Sequence, residues 1–132
     1  MFRRVNKLAA AAIQDVVNKL RTRKYRVVAS AVILASGRSL PPLAKILVAH
    51  PLLHAAEGEF FRAAFTEASE SLDIPVTGLR QRDLEERARK TFGKSAARIS
   101  QQISTQGRSL GPPWTTGQKT ATLAALLALA NN

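Results

Sequence analysis

The chain has 132 residues, a formal net charge of +11 and no cysteine. Its length is that of one ordinary domain, and we predict a single domain over residues 1–132. The lack of cysteine excludes a thiol nucleophile, a disulfide framework and a cysteine-ligated zinc site. No uninterrupted run of about 18 apolar residues occurs, so the sequence predicts no membrane span.

The charge is distributed unevenly along the chain. Residues 1–40 contain nine Lys or Arg and one Asp, residues 41–80 contain three Lys or Arg and five Asp or Glu, and residues 81–132 contain eight Lys or Arg and three Asp or Glu. An acidic middle is therefore flanked by two basic parts. Such a basic field attracts polyanions, including nucleic acid and acidic lipid headgroups. A solvated surface with no specific partner explains the same charges, and no recognised nucleic-acid-binding motif accompanies them.

The first half of the chain predicts a helix, a strand and a second helix. Residues 3–23 repeat apolar side chains at the i, i+3, i+4 spacing of one helix face. Residues 25–35 form an apolar run rich in β-branched side chains, which predicts a strand covered on both faces. A turn over residues 36–39 ends the strand, and a proline pair suits the first turn of a helix over residues 41–49.

A proline at position 51 predicts a break, after which a long helix spans residues 52–72. The elements that follow are a strand over residues 75–79, helices over residues 83–92 and 96–106, a loop over residues 108–114 and a last helix over residues 117–130. That last helix is apolar almost all round, which predicts burial in the domain or in a subunit interface.

The order of these elements predicts the fold class. A strand, helices and a second strand indicate a crossover unit with parallel strands. We therefore expect an α/β or α+β fold with a small, parallel sheet of at least two strands and five or six helices. Two strands are few for a sheet with a buried strand, so either a further strand escapes the pattern or the sheet continues in another subunit. Together with the apolar last helix, this favours a homodimer.

Both histidines lie between residues 50 and 62. On a helix, Glu57 lies three residues after His54, while Gly58 and Arg62 follow His54 at four-residue steps along one face. An imidazole with a carboxylate forms a general-base pair in which the carboxylate orients the ring. The same pair is half of a divalent-metal site, although its spacing differs from the two-histidine zinc motif. Gly58 leaves a dent for a ligand or for another backbone.

Structural roles explain the same residues. Glu59 and Arg62 form an ordinary surface pair in that interpretation. Gly58 then only permits helix packing, and His54 hydrogen-bonds to a neighbouring element. Both interpretations stay open from the sequence.

A second candidate lies at the end of the first predicted strand. Ser36, Gly37 and Arg38 follow a strand and precede a helix, where free backbone N–H groups bind anions. Arg38 adds a forked contact to phosphate or carboxylate, and Arg80 holds the matching position after the second strand. Ligands bind beyond the carboxyl ends of parallel strands. A parallel crossover would bring His54 beside Arg38, whereas an antiparallel second strand would place the two at opposite edges.

The only tryptophan lies in a rigid loop, Gly111-Pro112-Pro113-Trp114. It either stacks on a ligand or packs the loop onto the core. Ser-Gly-Arg at 36–38, His-x-x-x-His-x-x-Glu-Gly-Glu-x-x-Arg at 50–62 and Gly-Pro-Pro-Trp at 111–114 together resemble an uncharacterised family of bacterial proteins over about residues 25–130. The resemblance implies a bacterial, cytoplasmic protein and brings no activity or site residue with it.

These features lead to one main hypothesis and two alternatives. The main hypothesis is an enzyme acting on an anionic, phosphate-containing substrate, with His54 as general base and Glu57 as its orienting group. Its anion contacts would come from Ser36, Gly37, Arg38, Gly58, Arg62 and Arg80. The cofactor is unknown, and a divalent metal is one option. The alternatives are a non-catalytic nucleic-acid-binding protein, using the helix 3–23 and the segment 82–98, and a structural homodimer. The sequence has no Walker loop, dinucleotide fingerprint or nucleophile elbow.

Overall fold

The described part of the chain forms helices and two short strands, both of which lie in its first 80 residues. The computed structural model describes residues 2–34 and 50–131, and the side chains of residues 4–34 and 56–131. Helix α1 spans Phe2–Thr22, strand β1 Ser30–Leu34, helix α2 His50–Ser71 and strand β2 Val76–Arg80. Helices α3 (Leu84–Phe92), α4 (Ala96–Thr105), α5 (Gly107–Leu110) and α6 (Thr116–Ala130) follow, with 3-10 turns at Gln81–Asp83 and Gly93–Ser95.

The two strands are parallel, as predicted. Ser30 lies opposite Val76, and Leu34 lies opposite Arg80. In the described part of the chain they form a two-stranded sheet. Helix α2 lies between them in sequence, so it belongs to the crossover that two parallel strands require. The fold is therefore α+β with a small parallel sheet.

Strand β1 is shorter and less covered than predicted. Of the predicted strand over residues 25–35, the structure describes residues 25–34, and of these only Ser30–Leu34 pair with β2. The ladder begins where the Ser30 N–H donates to the Pro75 carbonyl oxygen at 2.9 Å, and Pro75 itself has no N–H to extend it. The residues of β1 are only partly buried and Leu34 is exposed, so the prediction of a strand covered on both faces is wrong.

Helices α6 and α2 pack on opposite faces of the sheet. Ala31 and Ile33 pack towards α6 against the core cluster, which consists of Leu79, Leu84, Ala124 and Leu127. Side chains alternate along a strand, so Ser30 points to the other face. There it borders an apolar groove of about 250 Å³ with Phe65 of α2 and Val16 of α1. Helix α1 packs on α2, which gives this side of the sheet two helical layers.

The helices form fewer separate segments than predicted. The stretch from Leu84 to Leu110 is interrupted only by a 3-10 turn and by Gln106. If α3, α4 and α5 are counted as one interrupted helix, residues 2–34 and 50–131 contain four helical segments, the other three being α1, α2 and α6. The sequence predicts five or six helices. The helix predicted over residues 41–49 lies outside the described residues. None of the described helices is long and apolar enough to cross a membrane.

The chain around Gly107 departs from the prediction. Gly107 begins α5 instead of ending a helix, and the loop predicted from Arg108 begins only after Leu110. The reason is that the Leu110 N–H donates to the Gln106 carbonyl oxygen at 3.0 Å and the Gly111 N–H to that of Gly107 at 2.9 Å. These bonds continue helical pairing through one more turn.

The last helix agrees closely with its prediction. Thr115 is its N-cap, and the Thr115 N–H donates the return bond of a capping box to Gln118 Oε1 at 2.9 Å. Ala124, Leu127 and Ala128 are buried, whereas Leu129 is 56% exposed. The predicted burial is therefore confirmed for the face that packs on the sheet.

Candidate functional site

The predicted helix site lies on α2. His54, Glu57, Gly58 and Arg62 belong to this one helix, which is helical from His50 through Pro51 to Ser71. Proline is tolerated in a first turn because its missing N–H would have no partner there. The backbone thus gives these residues the three- and four-residue spacing of one face. Glu57 is exposed, and the side chain of His54 lies outside the described side chains.

The dent at Gly58 is filled by Arg62. A Cβ atom at Gly58 would lie 3.1 Å from both Nη1 and Nη2 of Arg62. Arg62 Nη2 donates to Glu59 Oε1 at 2.9 Å, and the side chain of Arg62 is only 24% exposed. The guanidinium is therefore held by its own helix, and Glu59 and Arg62 form the ordinary pair of the structural interpretation. An anion would have to displace Glu59 to bind Arg62 Nη2.

The sheet topology determines which edge faces the start of α2. The helix ends at the amino edge of the sheet, where the Ile74 N–H donates to the Ser69 carbonyl oxygen at 3.0 Å. Its 22 residues measure about 33 Å at 1.5 Å per residue. The five residues of β2 measure about 17 Å. The amino end of α2 therefore extends past the carboxyl edge, where the exposed Arg80 ends β2. Ser36, Gly37 and Arg38 lie outside the described residues.

Six consecutive exposed residues begin in the last turn of α1 and continue beyond it. We call these residues, 21–26 (Arg-Thr-Arg-Lys-Tyr-Arg), the basic segment. Its tyrosine, Tyr25, is 64% exposed. The Tyr25 N–H donates to the Leu20 carbonyl oxygen at 2.9 Å, and the Lys24 N–H donates to that of Arg21 at 2.8 Å. With Lys24 at a φ of 67°, these two bonds form a Schellman motif. The basic segment is thereby anchored to the end of α1.

The charges of the basic segment are not neutralised within the described part of the chain. One turn earlier, Lys19 Nζ pairs with Asp15 Oδ2 at 2.8 Å. The hydrogen bond and the charge of Asp15 raise the pKa of Lys19. No acidic side chain among residues 4–34 and 56–131 forms such a pair with Arg21, Arg23, Lys24 or Arg26. These four cations are therefore available to an external anion.

A second basic surface lies on the other side of the sheet. In the predicted segment 82–98, Lys90 pairs with Glu86 at 3.2 Å and Arg82 Nε lies 3.9 Å from Asp83 Oδ1. Helix α3 of this segment packs on α6, whereas α1 packs on α2. The helix 3–23 and the segment 82–98, which the nucleic-acid hypothesis named, thus belong to different layers of the fold. Four exposed cations of this second surface form no ion pair with the described side chains: Arg87, Arg89, Lys94 and Arg98.

Trp114 has a structural contact. Its indole Nε1 donates to the Ile103 carbonyl oxygen at 2.8 Å. The ring also covers Gly107, where a Cβ atom would lie 2.6 Å from Trp114 Cδ1. Of the two predicted roles, the structure therefore supports packing of the loop onto the helices.

Sequence reasoning missed a cavity of about 300 Å³ among α3, α4 and α6. Its signal in the sequence was two hydroxyl pairs at four-residue spacing, on helices that also carry buried apolar residues. No group of three His, Cys, Asp or Glu that could hold a metal occurs among the described side chains, those of residues 4–34 and 56–131. Comparisons of the chain with protein-family models, with curated protein sequences and with solved structures find no match.

Proposed function

We propose that this protein binds single-stranded nucleic acid through the basic segment. The observation that carries the proposal is four exposed cations without acidic partners, arranged around one exposed aromatic ring. Cations that contact phosphates release the condensed counterions of the strand, and this release drives association. An exposed aromatic ring adds stacking with an unpaired base, worth about 1–3 kcal/mol.

The Schellman motif supports the proposal for a second reason. A binding segment that is ordered before it meets its ligand loses less conformational entropy on binding. The backbone bonds of Lys24 and Tyr25 hold the segment against the end of α1. Positive charge also suits the end of a helix, since the helix dipole is negative there.

The salt dependence of binding tests the proposal. Fluorescence anisotropy of a labelled single-stranded oligonucleotide is measured against salt concentration for the natural chain and for a variant with Arg21, Arg23, Lys24 and Arg26 replaced by glutamine. The slope of log affinity against log salt should fall by about 0.7 for each phosphate contact that is lost. Tyr25→Ala should weaken binding by about 1–3 kcal/mol, while Tyr25→Phe should retain it because the ring still stacks.

The second basic surface supplies a control of equal charge. Replacing its exposed cations, Arg87, Arg89, Lys94 and Arg98, with glutamine removes the same net charge from the other layer. The proposal expects a smaller loss of affinity and a smaller change of slope in this variant. Equal losses in both variants would mean that only the overall charge matters. If the protein binds anionic lipid vesicles more tightly than the oligonucleotide, its partner is a membrane surface and the nucleic-acid proposal is wrong.

The parallel crossover supports a second candidate function, an enzyme for a phosphate-containing substrate. It directs the amino end of α2 to the edge at which β2 ends in Arg80. In this proposal His54 is the general base and Glu57 orients it. The anion contacts in this proposal are Arg80, Arg62, Ser36, Gly37 and Arg38, together with Gly58.

Replacing His54 tests this second candidate. Against a panel of phosphate esters, with and without divalent metal, His54→Ala should abolish turnover and leave the thermal midpoint nearly unchanged. His50→Ala is the matched control, because it removes an imidazole from the same helix one turn earlier. If the natural chain turns over none of the phosphate esters and His54→Ala lowers the thermal midpoint, His54 has a structural role.

A further inference from the structure

The cavity among α3, α4 and α6 has an apolar floor and a polar wall. It opens beyond the carboxyl end of β2, because Gln81, the residue after this strand, lines it. Leu84 and Ile103 form the floor and are 4% and 5% exposed. At about 300 Å³, the cavity lies at the small end of the range for ligand sites. A small molecule with both apolar and polar parts matches this lining.

The hydroxyl groups on the wall are unused. Ser100 and Ser104 lie on one face of α4, and Thr116 and Thr120 lie on one face of α6. Helical Ser and Thr commonly donate to a carbonyl one turn earlier, as Thr122 does to Gln118 at 2.8 Å. Within the described residues none of the four cavity hydroxyls makes such a bond. Each is therefore free to donate to or accept from a ligand.

The wall also carries one charge of each sign. Glu85 lies on α3 and Lys119 lies on α6, and both line the cavity. On the same helix, Glu86 pairs with Lys90 at 3.2 Å. Neither Glu85 nor Lys119 has an ion pair with any residue of the described ranges. Two separate charges of opposite sign match a ligand that carries both signs.

We propose that this cavity binds a small zwitterion of the free α-amino acid class. The ligand ammonium donates to the Glu85 carboxylate, and Lys119 donates to the ligand carboxylate. The apolar side chain of the ligand rests on Leu84 and Ile103, while the free hydroxyls complete its hydrogen bonds. This site is separate from the basic segment, so it adds a ligand to the proposed nucleic-acid binding and does not depend on it.

The single tryptophan makes the proposal measurable. Trp114 Nε1 donates to the carbonyl oxygen of Ile103 at 2.8 Å, and Ile103 lines the cavity. Occupancy of the cavity should therefore change the emission of Trp114. Titration of the full chain with millimolar leucine, methionine and serine should give a saturable change for at least one of them. Isothermal titration calorimetry gives the same dissociation constant independently of fluorescence.

Variants distinguish the two ends of the ligand. Glu85→Gln and Lys119→Gln should each weaken binding by at least about tenfold, the loss expected when one hydrogen bond to a charged group is removed. An amine without a carboxylate should respond to Glu85→Gln alone, and a carboxylic acid without an amine to Lys119→Gln alone. Glu86→Gln and Lys94→Gln are matched controls outside the cavity. Ser104→Phe should block binding by filling the cavity while the chain stays folded, as checked by circular dichroism.

Three results would overturn the proposal. One is no saturable response to any amino acid in fluorescence and calorimetry. Another is equal weakening by the Glu86→Gln control and by Glu85→Gln. The third is binding of simple amines and carboxylic acids as tight as that of the amino acids, since a zwitterion site must prefer the ligand with both charges.

Discussion

Truncation of Leu127 to alanine is expected to lower the free energy of unfolding by about 2–5 kcal/mol, the range for deleting a buried leucine side chain. Leu127 is 1% exposed and packs with Leu79, Leu84 and Ala124 between α6 and the sheet. The loss combines the transfer of the side chain to water with the cavity left behind. Because a small domain is stable by only about 5–15 kcal/mol in total, the effect should be plain in urea unfolding followed by circular dichroism.

Leu129 is the matched control, two residues further along the same helix and 56% exposed. In a monomer, Leu129→Ala should change the free energy of unfolding by no more than about 0.5 kcal/mol. In the homodimer proposed from the sequence, an interface on α6 would cover Leu129. The cost of Leu129→Ala would then depend on protein concentration. Equal losses for Leu127→Ala and Leu129→Ala at every concentration would contradict the way α6 packs on the sheet.

Replacing Gly107 with alanine is expected to destabilise the fold by about 1–3 kcal/mol, as overpacking does. Helix propensity alone would favour alanine by about 1 kcal/mol. The new methyl group, however, would lie 2.6 Å from Trp114 Cδ1 and 2.7 Å from Trp114 Cγ. The indole must then move, which weakens its hydrogen bond to the Ile103 carbonyl oxygen. Thermal unfolding measures the loss, and a red shift of the Trp114 emission reports the displaced ring.

Gly117, on α6, is the matched control for Gly107, because an added methyl group has room there. The nearest atom to a Cβ at Gly117 is Thr115 Oγ1, at an ordinary distance of 3.6 Å. Gly117→Ala should therefore be neutral or stabilise the fold by up to about 1 kcal/mol, as helix propensity predicts. If Gly107→Ala were as well tolerated as Gly117→Ala, with unchanged emission, Trp114 would not cover Gly107 as described.

Much of the fold follows from local patterns in the sequence. The period of the apolar residues predicted a helix over residues 3–23, and α1 spans Phe2–Thr22. The long helix and the second strand are likewise within two residues of their predictions, and the strands are parallel. These features were predictable because apolar residues recur at a regular spacing within one helix or strand, and because the order of the elements indicates a crossover.

The candidate sites depended differently on sequence and structure. The sequence was sufficient to assign His54, Glu57, Gly58 and Arg62 to one helix, and to show that residues 1–40 are basic. It left open whether the dent at Gly58 is empty. Arg62 fills that dent while its guanidinium donates to Glu59, and residue spacing alone does not encode this side-chain conformation.

By itself, the sequence determined the basic character of the first and last parts of the chain, and it predicted most of the helices and the parallel crossover. Tertiary structure alone decided where, within residues 25–34, pairing with β2 begins, because a ladder needs a partner strand. It also decided that Trp114 covers Gly107, and that Gln81, Ser100 and Thr120 line one cavity. The physical reason is that periodicity records which face of a segment is apolar, whereas contacts between segments depend on packing geometry that no single segment contains.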